Sequence, residues 1–493
     1  MPASQMCLLA AKQPISLTSV NKTRDTAALA TGVICAAQFV LQLDFSIVNV
    51  ALNTIQRDLG MAPTELQWIV TGYALTFGSL LLAGGRLADL LGRRRMLAVG
   101  LAGFALASLG CGLARWPVML IVARMAQGAS AALASPAALS LLTTASPEGP
   151  ARNRALALWQ AATAGGATTG IIAGGLLTQY LGWRAVFLVN PPLIAVMLML
   201  IPRLPASAAQ GDGRIDFRGA TLVTAAIAAL IYGLTEGQQH GFSTPASVVA
   251  LVAAAVLAAA FVYSERRVAS PMIPPSLLAD PARRAAVATM LLIGAVLAGY
   301  VYFVALYLQK VHDFSPVQTG LALLPATITV VLVSTLGTRR LLSRFGTWRV
   351  LLAGLTIMTA GQLWLAQIGY GSSYLTGVLP GVLLTALSIG LTLPAASVAI
   401  TTGVRGRDQG IAGAMFVTGQ QTGAAVGLAV LATAAAARTA HAGGDLVAGY
   451  RLSFLIGAGM GVLAIALAAA RVRSRARERE PEDLAAAAEP ARD

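Results

Sequence analysis

The sequence predicts an all-α membrane protein in which two pseudo-symmetric six-helix bundles are joined by a two-helix linker. Apolar residues make up 56% of the chain and charged residues only 11%, whereas soluble domains carry about 25% charged residues. Fourteen apolar stretches are each about long enough to cross the roughly 30 Å hydrocarbon layer as a helix. Glycine ladders and basic hairpins recur at equivalent places in the two halves, which indicates a duplicated bundle.

The predicted helices divide the chain into five parts. The candidate spans cover residues 27–52, 66–87, 96–115, 117–141, 155–180, 184–202, 217–236, 245–264, 285–309, 316–338, 348–369, 375–403, 408–437 and 449–470. The parts are an N-terminal tail (1–26), an N-terminal bundle (27–203), a linker with the seventh and eighth spans (204–284), a C-terminal bundle (285–470) and a charged tail (471–493). The N-terminal tail holds only a short apolar run, so we expect no cleaved secretory signal.

The basic residues predict the orientation of the chain in the membrane. With the N-terminus inside, 28 of the 35 lysines and arginines fall in cytoplasmic tails, loops or flanks, six fall outside, and Arg124 lies within a span. Because basic residues concentrate on the cytoplasmic side of membrane proteins, we predict a multi-pass protein of the cytoplasmic membrane with both termini cytoplasmic. The net charge of +15 is accounted for by this distribution and predicts no nucleic-acid partner.

Motifs for bound cofactors are not found in the sequence. The three cysteines show no metal-ligand spacing and no disulfide framework. No Gly-x-x-x-x-Gly-Lys-[Ser/Thr] phosphate loop occurs, which argues against ATP-driven pumping by this chain. We therefore expect no cofactor, no enzymatic activity and no metal site, and we expect a proton gradient to supply the energy.

A glycine- and arginine-rich hairpin between the second and third spans predicts a conformational switch. Residues 84–95 read Gly-Gly-Arg-Leu-Ala-Asp-Leu-Leu-Gly-Arg-Arg-Arg. Gly85 and Gly92 allow two helix ends to approach closely, and Asp89 precedes Arg93 by four residues, the spacing of a charge pair on one helix face. A topology signal alone would explain the arginines but not the glycine and aspartate spacing.

Two glycine ladders support an internal repeat. Gly166, Gly170 and Gly174 lie on one face of the fifth span, and Gly419, Gly423 and Gly427 lie on one face of the thirteenth. Each ladder falls in the fifth helix of its bundle, and a second basic hairpin at 339–346 matches the position of the first. Ordinary close helix packing explains one ladder, but equivalent placement in both halves is typical of a carrier that works by alternating access.

These motifs resemble those of the fourteen-span drug:proton antiporters (the DHA2 family) of the major facilitator superfamily. Besides the hairpin, the resemblance is carried by Leu43-Asp-Phe-Ser-Ile-Val-Asn-Val-Ala-Leu52, Arg124-Met-Ala-Gln-Gly128, Gly170-Ile-Ile-Ala-Gly-Gly175, Trp183-Arg-Ala-Val-Phe-Leu-Val-Asn-Pro191 and Tyr307-Leu-Gln-Lys-Val311. It extends from about Leu41 to Arg471. Two positions depart from the family pattern: Ile171 replaces the proline of the antiporter motif, and Ser343 replaces a common acid in the second hairpin.

The ionisable residues deep in the membrane predict the proton-coupling site. Asp44 is the only acid deep in a predicted span, Arg124 is the only deep base, and Glu236 lies at an outer helix end. Both deep residues lie about 10–12 Å from the outer ends of their helices, so we expect them to be nearly level. The resemblance implies that the first and fourth spans both border the central cavity, and on that basis we expect the two residues to be in contact. Burial favours the neutral form of a carboxylic acid and a nearby arginine favours its charged form. A static ion pair that only holds helices together is the alternative.

Polar and aromatic residues within the spans are candidates for the substrate cavity. Gln38, Gln42 and Asn49 share one face of the first span, and Asp44 projects about 120° or more away from them. Gln127 follows Arg124 by one helical turn and can help to orient it. A stripe of Tyr300, Phe303 and Tyr307 in the ninth span is suited to stacking on a planar drug, although such stripes are more often core packing or an interfacial belt.

We therefore predict a proton-coupled efflux antiporter that exports an amphiphilic drug or antibiotic, acts as a monomer and has protons, substrate and the lipid bilayer as its partners. Arginine exceeds lysine 32 to 3, a hint of a GC-rich genome and of self-resistance export. One alternative is a major-facilitator symporter or an exporter of another small metabolite. A second is a non-transporting membrane sensor, although no predicted loop or tail exceeds about 30 residues.

Overall fold

The computed structural model describes residues 17–61, 63–146, 149–204, 216–268, 271, 277, 279–404 and 408–487, and the described elements are all helical. The helices of the first half are α1 (Leu17–Leu59), α2 (Pro63–Leu91), α3 (Arg93–Gly112), α4 (Pro117–Ala145), α5 (Pro150–Tyr180), α6 (Arg184–Leu188) and α7 (Asn190–Leu200). The linker helices are α8 (Phe217–His240) and α9 (Pro245–Glu265). The second half contains α10 (Pro281–Lys310), α11 (Pro316–Leu332), α12 (Arg339–Phe345), α13 (Thr347–Leu365), α14 (Leu379–Thr401), α15 (Gln409–His441) and α16 (Leu446–Ala487).

The helices pack as two bundles with matching internal contacts. In the first bundle α1 packs on α5, and α4 packs on both α2 and α3. In the second bundle α10 packs on α15, and α14 packs on α11 and α13. The linker helices α8 and α9 pack on each other, and α8 also lies against α2 and α15. The bundles meet where α2 and α4 contact α15 and where α5 contacts α11 and α14.

Twelve helical segments of the described chain are long and apolar enough to cross a membrane. The prediction of fourteen spans stays a prediction, because α5 and α13 are not among the twelve. Helix α5 has 31 residues but is rich in glycine, threonine and glutamine, which lowers its hydropathy. Helix α13 has only 19 residues, and it carries Arg349 near its start.

Several helices depart from their predicted bounds. Helix α1 begins at Leu17, within the predicted N-terminal tail, and α16 continues to Ala487, through much of the predicted C-terminal tail. The rest of these tails, residues 1–16 and 488–493, lies outside the described residues. The sixth predicted span is broken into α6 and α7 at Val189, where Pro191 and Pro192 remove backbone donors. A π-helical turn over Val333–Thr338 joins α11 to α12.

The glycine ladders lie at the contacts between the first and fifth helices of the two bundles. A Cβ atom on Gly166, Gly170 or Gly174 would strike the backbone oxygen of Phe39, Leu43 or Ile47 on α1. In the second bundle, Cβ atoms on Gly423 and Gly427 would strike the backbone of Leu291 and Ala295 on α10. Gly419 differs, since a Cβ there would lie 3.7 Å from Met290, an ordinary van der Waals contact. The ladders therefore allow the helix backbones to approach closely, and Gly419 is the one position of the six at which this approach does not require glycine.

Candidate functional site

A buried ion pair joins α1 and α4 inside the first bundle. Asp44 Oδ2 lies 2.7 Å from Arg124 Nη1, and the two residues are 0% and 1% exposed. The expected contact between these two residues is therefore present in the structure. An ion pair this deeply buried requires further hydrogen bonds to offset the cost of removing both charges from water.

Three neutral residues complete those hydrogen bonds. Asp44 Oδ1 accepts from Gln127 Nε2 at 3.2 Å and from Asn190 Nδ2 at 2.7 Å. Both amides also donate to Ser108 Oγ at 3.0 Å, and Arg124 Nη1 donates to Gln127 Oε1 at 2.8 Å. We call Asp44, Arg124, Gln127, Asn190 and Ser108 the acid network. All five side chains are buried. Gln127 contacts both members of the ion pair, and its predicted place in the substrate cavity stays a prediction.

The arginine of the network is held between aromatic rings of α2 and α6. Its Cζ atom lies 4.4 Å from the ring centroid of Tyr73 and 5.9 Å from that of Phe187, within the range of cation–π attraction. Its Nε donates to the backbone oxygen of Ile69 at 3.1 Å. The Tyr73 ring also stacks on Phe77, with centroids 5.8 Å apart. Arg124 is thus attached to α2 as well as to α1.

A polar cavity lies between the two bundles, near the middle of the helices. It has a volume of about 30 Å³, far below the roughly 300–1,000 Å³ that is usual for small-molecule sites, so a drug-sized ligand requires the two bundles to move apart. The lining residues come from α1, α2, α4, α5 and α15, and they are Gln38, Gln42, Phe77, Ser135, Trp159, Gln160, Thr163, Phe416, Val417, Gln420 and Gln421. We call this space the amide cavity, because five glutamines contribute to its wall and no charged residue does.

The structure divides the predicted cavity residues into two groups. Gln38 and Gln42 line the amide cavity, whereas Asp44 points away from it into the acid network. Asn49 is exposed and its amide donates to Phe45 O of its own helix at 3.2 Å. Asn49 lies one helical turn beyond Asp44, towards the end of α1, and is therefore displaced along the helix from the cavity.

The predicted aromatic stripe is part of the core of the second bundle. Tyr300, Phe303 and Tyr307 are no more than 4% exposed and pack in one cluster with Tyr450 and Phe454 of α16. They thus lie where the stated alternative of core packing puts them, and their role in a substrate cavity stays a prediction. Helical periodicity correctly put the three rings on one face, and the cluster that contains them includes residues of α11 and α16, with Ala164 of α5 packed against it.

At the end of the bundles where α2 ends, Asp89 connects the two halves; we call this the Arg93 end. Asp89 accepts hydrogen bonds from the backbone N–H groups of Gly410 and Ile411 at 2.8 and 2.9 Å, at the start of α15. Arg93 Nη2 lies 3.0 Å from the same carboxylate. A carboxylate at a helix N-terminus satisfies unpaired donors and complements the helix dipole, so this contact ties α2 to the opposite bundle.

Two glycines of the hairpin are required by this geometry. An ideal Cβ on Gly85 would lie 2.5 Å from Ala414 Cβ and 2.8 Å from Gly410 O on α15. Gly92 separates α2 from α3 with a φ of 95°, a backbone conformation that L-residues with a Cβ rarely adopt. The hairpin therefore combines a close approach, a sharp turn and an ion pair within nine residues.

At the opposite end, which we call the Trp183 end, an exposed acid ties α1 to α6. Asp58 Oδ2 accepts from Trp183 Nε1 and from Arg184 Nη1, both at 2.8 Å. These hydrogen bonds, first from Trp183 and then from Arg184, hold the pKa of Asp58 below its usual value. Folding therefore favours the charged form of Asp58. The stability that this hydrogen-bonded carboxylate contributes is lost as the pH falls through its lowered pKa. Since Asp58 is 45% exposed, its effect is small.

Two helical bundles around a polar cavity, with an ion pair buried inside one of them, have the architecture of a secondary membrane transporter. The chain belongs to the Major Facilitator Superfamily, whose family model matches residues 34–428. It is 39% identical to the puromycin resistance protein pur8 of Streptomyces alboniger over 83% of this chain and 82% of that protein. It is 38% identical to the cephamycin export protein CmcT of Amycolatopsis lactamdurans over 89% of this chain and 91% of the other.

Further similarity extends to multidrug transporters and to solved structures. The multidrug resistance protein Stp of Mycobacterium tuberculosis is 36% identical over 85% of this chain and 77% of its own length. The crystal structure of the human organic anion transporter MFSD10 (TETRAN) matches with a TM-score of 0.63 at 16% identity, covering 90% of this chain and 99% of that chain. The proton:xylose symporter XylE matches with the same TM-score at 14% identity. At these identities the two structures show the fold alone.

Proposed function

We propose that this protein exports small amphiphilic drugs or antibiotics across the cytoplasmic membrane in exchange for protons, by alternating access. The observation that carries the proposal is the amide cavity, because it lies between the bundles and offers amides and aromatic rings without a charge. Pockets of this composition suit amphiphilic small molecules. The relatives named for puromycin resistance and cephamycin export support the direction of transport, and they favour an antibiotic as substrate.

The proposed topology has fourteen spans, with the Arg93 end and both termini in the cytoplasm. Helices α5 and α13 are added to the twelve apolar spans because each packs within a bundle, α5 on α1 and α13 on α14 and α16. The polar residues that lower the hydropathy of α5 face protein, since its glycines contact α1 and Gln160 lines the cavity. Both bundles and the cavity belong to one chain, which supports a functional monomer.

Proton coupling is assigned to Asp44, the acid of the network. A protonated Asp44 would need an acceptor for its new O–H group, and Asn190 Oδ1 is buried without a hydrogen-bond partner. Rotation of the Asn190 amide by 180° would turn this oxygen towards Asp44 and replace the donor that faces it now. The network therefore contains a group that can stabilise either protonation state, which a purely static ion pair would not need.

The aromatic pair Tyr73 and Phe77 links the cavity to the acid network. Phe77 lines the cavity and stacks on Tyr73, and Tyr73 lies over Arg124. A substrate that displaces the Phe77 ring would thereby disturb the aromatic contact of Arg124. This continuous chain of contacts gives a physical route by which substrate binding and proton binding exclude each other.

The export proposal is tested by drug susceptibility and accumulation in cells. We expect expression in a strain that lacks its own efflux pumps to raise the inhibitory concentration of several neutral amphiphilic antibiotics, and deletion from the native host to lower it. Accumulation of the same compounds should fall on expression and recover when a protonophore collapses the gradient. Higher accumulation on expression would indicate uptake, and unchanged accumulation across the panel would contradict transport of this class.

Replacing Tyr73 by leucine should weaken coupling more than binding. The change removes the ring over Arg124, a contact worth about 0.5–2 kcal/mol, so substrate-induced proton release should fall by roughly two- to thirtyfold. Substrate affinity should change little, because Tyr73 does not line the cavity. Proton release is measured with a pH dye on purified protein, and Tyr73→Phe, which keeps the ring, serves as the control. Equal loss in both variants would argue against the aromatic pair.

A further inference from the structure

The amide cavity contains buried polar atoms that the protein itself does not satisfy. Within the described part of the chain, Gln38 Oε1 and Gln160 Nε2 are buried and have no hydrogen-bond partner. The two residues are 8% and 3% exposed, and both line the cavity. Buried polar groups in proteins are nearly always paired, so this acceptor and this donor are available to a molecule that enters the cavity.

Neighbouring hydrogen bonds determine which atom of Gln38 is left over. Thr163 Oγ1 donates its single proton to Trp159 O at 2.9 Å, so its oxygen must accept from Gln38. Gln38 therefore presents Nε2 to Thr163, at 3.3 Å, and its Oε1 remains as an acceptor. Gln160 precedes Thr163 by three residues, so the side chain of Gln160 lies on the same face of α5 as the threonine that holds Gln38.

The rest of the wall restricts the charge and shape of the ligand. No acid or base lines the cavity, and the carboxylate of Asp44 is taken up by Arg124, Gln127 and Asn190. A charged group in the cavity would lose its hydration without gaining a counter-ion. Trp159, Phe77 and Phe416 supply aromatic surface beside the two free amide atoms, which suits a planar apolar group.

We propose that the cavity recognises an uncharged carboxamide or lactam attached to a planar apolar body. In this arrangement the N–H of the ligand donates to Gln38 Oε1, and its C=O accepts from Gln160 Nε2. The aromatic residues contact the apolar body, and the remaining glutamines surround the amide. The inference rests on the proposed transport function for its biological meaning, but it concerns binding alone.

The test uses a matched set of probes with purified protein in detergent. The probes are 2-naphthamide, N,N-dimethyl-2-naphthamide, which lacks the N–H donor, and 2-naphthylmethylammonium, which replaces the amide by a cation. Binding is followed by quenching of tryptophan fluorescence and by isothermal titration calorimetry. We expect 2-naphthamide to bind roughly tenfold more tightly than either of the other two probes, since each buried hydrogen bond contributes about that factor.

Two variants separate the two hydrogen bonds. Gln38→Met should weaken 2-naphthamide by roughly tenfold and leave the N,N-dimethyl compound unchanged, whereas Gln160→Met should weaken both by a similar factor. Gln367→Met is the matched control, because Gln367 is an exposed glutamine at the end of α13, and it should change neither affinity. Near-native melting temperatures of the variants show that folding is retained.

The outcomes separate this inference from the transport proposal. If Gln38→Met weakens both amides equally, or if the cation binds more tightly than 2-naphthamide, the assignment of the donor and acceptor is overturned even when cells export drugs. If the binding pattern is found but expression changes no drug accumulation, the recognition site stands and export is contradicted. Absence of any binding of 2-naphthamide also overturns the inference.

Discussion

Cells that produce the Asp44→Asn protein should lose drug resistance to the level of cells without the transporter. Asparagine is close to aspartate in size but carries no titratable proton, so the transporter can no longer couple drug movement to the proton gradient. Exchange of labelled for unlabelled substrate across the membrane should persist, because it needs the amide cavity and the conformational change but no net proton movement. Measuring uphill efflux and exchange on the same cells separates loss of coupling from loss of the protein.

The Asp44→Asn substitution leaves the charge of Arg124 buried without its partner, so a second variant is needed. Removing one partner of a buried ion pair costs about 3–5 kcal/mol, because the other charge stays buried without compensation. The double variant Asp44→Asn/Arg124→Gln removes both charges and should recover folding while it remains uncoupled. Asp58→Asn is the matched control, since Asp58 lies on the same helix and also pairs with an arginine, Arg184, but at the exposed end. It should keep full resistance, and uphill efflux by the double variant would contradict a role for Asp44.

The Asp89→Asn protein should open more readily at the Arg93 end. The change removes the charge that accepts from Gly410 and Ile411 at the start of α15 and that pairs with Arg93. Hydrogen bonds to charged groups contribute about 1.5–3 kcal/mol each, so we expect the open population to rise roughly ten- to hundredfold. Gly92→Ala should act in the same direction, because its φ of 95° strains any residue with a Cβ.

A single cysteine at the closed interface reports this opening. Thr143 is buried at the Arg93 end and donates to Gln409 of the opposite bundle at 3.3 Å, and a cysteine there is close to threonine in size. In a background without the native cysteines, alkylation of Thr143→Cys should accelerate roughly ten- to hundredfold when Asp89→Asn is added. Substrate affinity should stay near the wild-type value, since Asp89 does not line the amide cavity. Unchanged alkylation together with weaker binding would place Asp89 in a different role.

The ion pair could be predicted from the sequence because ionisable residues inside a membrane are rare and costly. No other ionisable residue was predicted as deep in a span as Asp44 and Arg124. The rise per residue of a helix was sufficient to place the two at the same depth. Asn190, Ser108 and Tyr73 were missed, since neutral side chains are common in spans and the break between α6 and α7 decides where Asn190 points. No simple pattern in the sequence marks Ser108 or Tyr73, and Asn190 lies in the quoted Trp183–Pro191 motif, where no role was assigned to it.

The cavity was predicted less completely than the ion pair. Gln38 and Gln42 were found from their shared face on α1, but Gln160, Gln420 and Gln421 were not considered. A search for every carboxamide within the predicted spans would have found them, because an amide in a membrane helix needs a partner or a cavity. For the aromatic stripe at Tyr300, periodicity gave the face of the helix but not the neighbouring helices that cover it.

Reconstituted vesicles test most directly whether this chain exchanges substrate for protons through Asp44. Purified protein is placed in liposomes that enclose a pH dye, with a pH difference as the only source of energy, and substrate and proton fluxes are recorded together. For the wild-type protein we predict uphill substrate movement accompanied by proton movement in the opposite direction, and for Asp44→Asn we predict neither. Uphill substrate movement with an equal proton flux in the Asp44→Asn protein would contradict the account.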